Sequence, residues 1–452
     1  MSLLAAPART VSGPGPVATL RALLGGQFLA MPSFLVACSR DYGPISTFSA
    51  FGRPAYFIDD AEGIAEVLVT KGRSFKKGRG LERIRILLGE GLLTSEEPLH
   101  LARRRIVQPA FHRERIDGYA RTMIDATNRA IAGWRPEETR DLVHDMGLLT
   151  LEIASRALFG ADVSSDAADI AGALSELIAL FPSLMSPLGS LRARLPLPST
   201  KRFEAAKAKL DGAVERIIAQ HRAELADRSG VLSLMMASRL ENGRALDAQA
   251  LRDESLTFLL AGHETTANAL SWTLYLLAKH PGIGDQARAE ALSVDASALD
   301  GNALEKLPFI TACFKESMRL FPPAWIVGRR AVEDVRILGV PIPKGTIVIT
   351  SPYVTQRNRR YYHDPDAFRP GRWLDGETVP RFAYFPFGGG NRVCIGEPFA
   401  WLEGVVVLTI LLSRFCFGLT PATSDEIQPI ITLRPRRGMP LRITNAPERA
   451  AV

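Results

Sequence analysis

One stretch limits the possible folds more than any other. Ala248–His280 is a single apolar helical run of roughly 30 residues, about 45–50 Å long at 1.5 Å per residue. Apolar residues on all its sides imply a rod buried through the core rather than a helix lying on a surface. Its centre reads Leu259-Leu-Ala-Gly-His-Glu-Thr-Thr-Ala267. Burying Glu264 and Thr265 there is unfavourable unless they are used or well paired, and Gly262 in a helix interior costs about 1 kcal/mol relative to Ala. A glycine, a carboxylate and a hydroxyl at a buried helix centre suggest a gap opened for something small. The plainer alternative is a Thr bonding back to the preceding turn beside a solvated Glu.

A second stretch supplies unusual chemistry. Phe385-Pro-Phe-Gly-Gly-Gly-Asn-Arg-Val-Cys-Ile-Gly-Glu-Pro-Phe-Ala-Trp-Leu-Glu403 places Cys394 just before an apolar run from Ile395 to Leu412, with Pro398 where a first helical turn tolerates it. Cys394 is thus expected at a helix N-terminus, where unpaired N–H groups and the helix dipole favour a thiolate. Gly388, Gly389 and Gly390 free the backbone to take positive φ and to approach something flat and bulky. Arg392, two residues from the sulfur, offers a permanent charge to an anionic group. Thiolate, donors and cation together describe a haem iron held by cysteine. A buried, inert core cysteine in a Gly-rich turn is the plain alternative.

Phe387-x-x-Gly390-x-Arg392-x-Cys394-x-Gly396 resembles the haem-binding signature of the cytochrome P-450 family, the haem-thiolate monooxygenases, at all five fixed positions. Two further motifs lie upstream in the family's order. Ala261-Gly262-x-Glu264-Thr265-Thr266 resembles its oxygen-activation motif, in which the acid and the hydroxyl supply protons. Glu316-Ser-Met-Arg319 resembles its buried Glu–Arg pair, joined by a second arginine. Phe368-Arg-Pro-Gly-Arg372-Trp supplies that arginine as Arg372, with Gly371 where the pattern often has an acid. The resemblance implies that this trio fixes the loop presenting Cys394.

The implied fold is mainly α with small β-sheets (α+β), a triangular prism of about a dozen helices around haem b with a long central helix. With 452 residues, 46% of them hydrophobic, the chain can bury a large core. Length alone suggests two or three domains; the motifs spread along the chain with no linker between them, so one catalytic domain over residues 17–447 is expected, after a flexible tail over 1–16, without a fused reductase. The 55 basic and 48 acidic residues leave +7, scattered without the run a nucleic-acid tail would show. Four cysteines without CxxC spacing fit a reducing cytoplasm, and seven scattered histidines suggest no zinc site. Ala22–Cys38 is interrupted by Gln27, Pro32 and Ser33 and falls short of the ~20 residues of a spanning helix. A soluble, monomeric, bacterial-type member is expected, with a peripheral membrane contact through this segment left open.

Along the chain, Ile45–Phe48, Ala55–Ile58, Val335–Ile337, Val340–Ile342 and Thr346–Ile349 read as strands. Ser74–Glu97 reads as loop-rich, Glu114–Ala226 as mostly helical with a greasy break at Phe181–Pro198, and Ile430–Leu433 with Leu441–Thr444 as a last hairpin. His100 and Arg104 share a helix face. The resemblance implies that they, Arg392 and either Arg329 or Arg330 hold the haem propionates. It also implies a lid near Phe181, Leu184, Met185, Leu188 and Leu191, and a pocket lined by Leu88, Phe181, Leu259, Ala261, Ala324, Ile326 and Ile431. Such a pocket suits a fatty acid, terpenoid, steroid or polyketide. The implied reaction is hydroxylation or epoxidation with O2, with electrons from a separate ferredoxin or flavodoxin and its reductase. A peroxygenase or isomerase, which often lacks the Glu–Thr pair, and a non-catalytic haem sensor are the competing readings.

Overall fold

Asp247 begins the central helix by accepting a hydrogen bond from the Ala250 N–H (2.8 Å), and Pro281 follows the helix end. Between them Ala248–Lys279 runs for 32 residues in a computed structural model that describes residues 11–24, 29–50, 53–162, 166–185, 195–224, 230–238 and 245–445. Nearly every side chain of this helix is buried, because other helices cover it on several sides. Leu142–Phe159 packs along it most extensively, and Pro308–Leu320, Pro198–Glu224 and Glu397–Arg414 complete the enclosure. The largest apolar cluster draws on all of these helices together with Arg113–Ile131.

The sheets lie at the margin of this helical body. β1 (Ile45–Ala50), β2 (Arg53–Ile58) and β3 (Phe75–Lys77) belong to a five-stranded sheet of order β1-β2-β8-β5-β3, with β5 at Val327–Ala331 and β8 at Ile347–Thr350. β2 and β8 pair in parallel, Ala55 opposite Ile347 and Phe57 opposite Ile349. β6 (Val335–Ile337) and β7 (Val340–Ile342) form a hairpin. Two smaller apolar clusters pack under these strands.

Several expectations need correction. The stretch after Ser74 is not mainly loop: it contains β3 and the helix Arg79–Leu88, whose Ile84, Leu87 and Leu88 turn one apolar face inward. The helix Ala167–Met185 continues through Phe181 and Pro182 instead of breaking there; Leu188 and Leu191 lie outside the described residues. The C-terminal pairing also differs. β10 (Ile427–Pro429) pairs with β11 (Leu433–Pro435), leaving Ile430–Thr432 as the tip of that hairpin. β12 (Pro440–Asn445) joins β9 (Phe415–Leu419) and β4 (Thr139–Asp141) in a separate sheet. Among the described residues no helix is long and apolar enough to cross a membrane.

Candidate active site

The loop before Cys394 is shaped by what it packs against. Gly388 and Gly390 take φ of +75° and +67°, while Gly389 is extended. A Cβ on Gly390 would lie 1.9 Å from the Leu68 carbonyl oxygen, and one on Gly389 would meet the Phe382 ring at 2.5 Å. Two of the three glycines are therefore required by neighbouring protein. The Cys394 N–H donates to the Phe387 carbonyl (3.0 Å), closing the loop on itself. The sulfur sits at the start of the helix Glu397–Arg414 and accepts from the backbone N–H groups of Gly396 and Glu397.

Cys394 is exposed, yet burial among protein atoms pushes its thiol up to about 11, against the pull of the Gly396 amide and Arg104. A thiol that solvent reaches while protein surrounds it faces an internal cleft. The middle of the central helix behaves in the same way. Ala261 is exposed and Thr265 partly so, although His263, Glu264 and Thr266 beside them are buried. Ala324, between buried Pro323 and Trp325, is exposed too. The helix of Cys394 packs against the central helix.

A knot of cations lies at one side. Arg104 donates to the Val393 carbonyl (2.8 Å), beside the cysteine. Arg392 donates to the Ser95 carbonyl (2.8 Å) and to the Glu96 carboxylate (2.6 Å). His100 is buried against Glu97 at 3.1 Å; burial, Arg392 and Lys77 lower its pKa to about 4. Burial and Arg392 also bring Lys77 down to about 7 and Arg329 to about 10. Arg330 is paired with Glu82, whereas among the described residues Arg329 has no carboxylate partner. Lys77 was not among the residues singled out from sequence; nothing in Phe75-Lys-Lys77 distinguishes a buried lysine from a solvated one. Positive groups that disfavour one another's charge form a site suited to an anion.

Glu264 and Thr265 diverge. The Thr265 hydroxyl donates to the Ala261 carbonyl (2.6 Å), the back-bond of the plainer reading. Glu264 is not solvated: its Oε1 accepts from Asn268 Nδ2 (3.1 Å) and Thr432 Oγ1 (2.9 Å). Gly262 opens no gap on the cleft side; a Cβ there would lie 3.4 Å from the Ala154 Cβ, so the glycine serves close helix packing. Leu88 and Leu259 are sealed in the core and do not form cleft wall. Leu259 lies two residues from Ala261, about 200° round the helix. Phe181, Ile326, Phe387 and Ile431 are partly exposed, Gly396 likewise.

Glu316, Arg319 and Arg372 form a buried network behind the loop. Glu316 accepts from Arg319 Nη2 (2.8 Å), Arg319 Nε (2.9 Å), Arg372 Nε (3.0 Å) and Trp373 Nε1 (2.9 Å). Gln356 carries the network onward: its side chain donates to the Arg319 carbonyl (3.0 Å) and accepts from the Phe385 N–H (3.0 Å), where the cysteine loop begins. Trp373 follows Arg372 in the quoted motif, whereas Gln356 carries no sequence signal.

The donor set fits a haem: one thiol facing a cleft, with cations placed for two carboxylates. Comparison with known proteins agrees. The cytochrome P-450 family model matches residues 13–440, and the chain belongs to that family. It is 34% identical to cyclooctatin synthase of Streptomyces melanosporofaciens over 91% of both chains. It is 32% identical to cyclooctat-9-en-7-ol 5-monooxygenase of the same organism over 82% of both. It is 30% identical to pentalenene oxygenase of Streptomyces avermitilis over 96% of this chain and 97% of that one. Membership defines a haem-thiolate monooxygenase that uses O2, a hydrophobic substrate and electrons from a redox partner.

Proposed function

We propose that this protein oxygenates a terpenoid scaffold, with Cys394 as the residue whose thiolate would hold haem b. The observation that carries the reading is the solvent-reached thiol of Cys394 among protein atoms; small, apolar Ala261 and Ala324, likewise exposed beside buried neighbours, would border the same cleft. Two relatives with terpenoid oxygenation in their printed names, cyclooctat-9-en-7-ol 5-monooxygenase and pentalenene oxygenase, support the substrate class.

When bound, haem supplies the redox chemistry that inserts oxygen. The chain's residues supply the rest. Cys394 would hold the iron as its thiolate, and the Gly396 and Glu397 amides, which already donate to the sulfur, would stabilise that charge. Arg104, Arg392 and Arg329 would neutralise the propionates and neutral His100 would donate a hydrogen bond to one of them; the pairing of Arg330 with Glu82 favours Arg329 for this role. Thr265 places its hydroxyl on the partly exposed side of the central helix, and Glu264, one residue away, is the acid that would relay protons toward it. Phe181, Ile326 and Ile431 guide an apolar substrate, while Phe387 packs on Trp401 under the loop. Electrons arrive from a ferredoxin or flavodoxin in the cytoplasm, and the net charge of +7 favours an acidic donor.

The test is a spectral-shift screen of the haem-loaded protein against terpenes, steroids and fatty acids, followed by product analysis with a ferredoxin system. Terpenoid hits that are hydroxylated or epoxidised support the reading; shifts confined to fatty acids reject the substrate class. Turnover with peroxide but none with NAD(P)H and a ferredoxin system would make it a peroxygenase.

A further inference from the structure

The carboxyl of Glu264 is held from outside its own helix. Thr432 Oγ1 donates to Oε1 at 2.9 Å, and the Arg434 guanidinium lies 3.8 Å from the same oxygen. Asn268, one turn along the central helix, donates at 3.1 Å and also reaches Thr432 at 3.2 Å. All three converge on Oε1, and among the described residues Oε2 has no hydrogen-bond donor. Thr432 and Arg434 stand at the tip and on the second strand of the β10–β11 hairpin. This hairpin is itself fixed: Trp272 donates to the Leu433 carbonyl (3.1 Å), Trp325 to that of Ile430 (3.2 Å), and the Leu433 N–H to Pro323 (2.9 Å). Ile431 sits between these anchors, beside Thr432.

We infer that Thr432 and Arg434 are positioning residues for the proton-donating acid, anchoring one oxygen of Glu264 so that the other stays available to the cleft. The inference rests on the proposed role of Glu264. It makes the C-terminal hairpin, through Ile431 and Thr432, a joint between substrate contact and proton supply. Fixing one oxygen leaves rotation of the carboxyl determined, so the second oxygen needs no search before it transfers its proton. Without the hairpin donors, Asn268 alone would hold a carboxyl that is otherwise buried.

The experiment uses haem-loaded protein in two measurements. The first is the infrared carboxyl band of Glu264, assigned by its loss in Glu264→Gln. Thr432→Val and Arg434→Gln are expected to move that band, while Arg436→Gln, on the same hairpin but paired with Glu426, leaves it in place. The second is product formed per NAD(P)H with the terpenoid that gives the largest spectral shift. Coupling should fall about tenfold in Arg434→Gln, within the roughly hundredfold a 1 Å misplacement can exact. Terpenoid affinity should be unchanged, and Arg434→Lys should restore coupling. An unmoved band with wild-type coupling in both hairpin variants overturns the inference, as does a loss of coupling matched by an equal loss of terpenoid affinity. Wild-type coupling in Glu264→Gln removes the underlying reading instead, and the inference with it.

Discussion

Glu316 and Arg319, three residues apart on one helix, meet through two parallel hydrogen bonds of 2.8 and 2.9 Å, and neither side chain reaches solvent. On a helix surface such a pair contributes a few tenths of a kcal/mol at most. Here Arg319 also donates to the carbonyls of Gln356 (2.8 Å), Pro365 (2.6 Å) and Ala367 (3.0 Å). Removing Glu316 leaves Arg319 buried without its acid and Arg372 with Glu377 alone (3.1 Å), so Glu316→Ala should destabilise by about 3–5 kcal/mol. Arg319→Lys should fail nearly as badly, since an ammonium cannot reproduce the fork. Thermal melts of both variants beside the wild type, with haem content as a second reading, check this; a melting point shifted by under a degree would contradict it.

Gly390 and Gly388 separate two causes of glycine requirement. Both hold positive φ, but only at Gly390 would a side chain strike backbone, 1.9 Å from the Leu68 carbonyl oxygen. Gly388→Ala should lose about 1 kcal/mol of stability from conformation alone. Gly390→Ala must also displace the helical turn carrying the Leu68 carbonyl and should not retain haem. Haem retention through gel filtration distinguishes the two, with equal retention counting against the steric account.

Thr265→Ala removes one back-bond to Ala261 and the only hydroxyl this helix presents on the exposed face among its described residues. Stability should change by about 1 kcal/mol or less. NAD(P)H consumption should continue while peroxide replaces most of the product. Normal coupling would remove Thr265 from proton delivery.

Glu403 gives a pH dependence with a definite sign. It is wholly buried on the helix that follows Cys394, with the Thr266 hydroxyl as its polar neighbour, and burial raises its pKa well above the ordinary 4.5. The folded protein keeps this proton while the unfolded chain releases it above pH 4.5, so folding takes up a proton. Through this group, stability falls as pH rises from that value toward neutrality. Glu403→Gln should be more stable at pH 7 and should flatten that part of the profile. Denaturant midpoints measured between pH 5 and 8 decide it (pH values about one unit apart suffice to resolve the slope); an unchanged slope would mean that Glu403 is ionised.

Arg329→Gln should weaken haem retention, whereas Arg330→Gln should only release Glu82 and loosen the helix Arg79–Leu88. Haem transfer to apomyoglobin measures the difference, and equal rates for the two variants would reject the assignment.

The central helix was legible because apolar residues recur at helical spacing without a proline between Asp247 and Pro281, and the strands around Pro343–Gly345 because β-branched residues flank a turn. Arg79–Leu88 was hidden by its glycine and charges, which resemble a loop until one apolar face finds a partner. The pairing of Leu441–Thr444 with Phe415–Leu419 was not legible, since nothing local distinguishes one strand partner from another. Arg434 near Glu264 shows the same limit: an ion pair across about 170 residues exists only once the fold does.

The parallel pairing of β2 with β8 sets an order of events during synthesis. Ala55 leaves the ribosome roughly 290 residues before Ile347, a delay of about 15–60 s at common translation speeds. Throughout that interval the N-terminal hairpin has one edge open and its apolar face uncovered, so the nascent chain should be a chaperone client, and slower codons ahead of β8 should lower the yield of native protein.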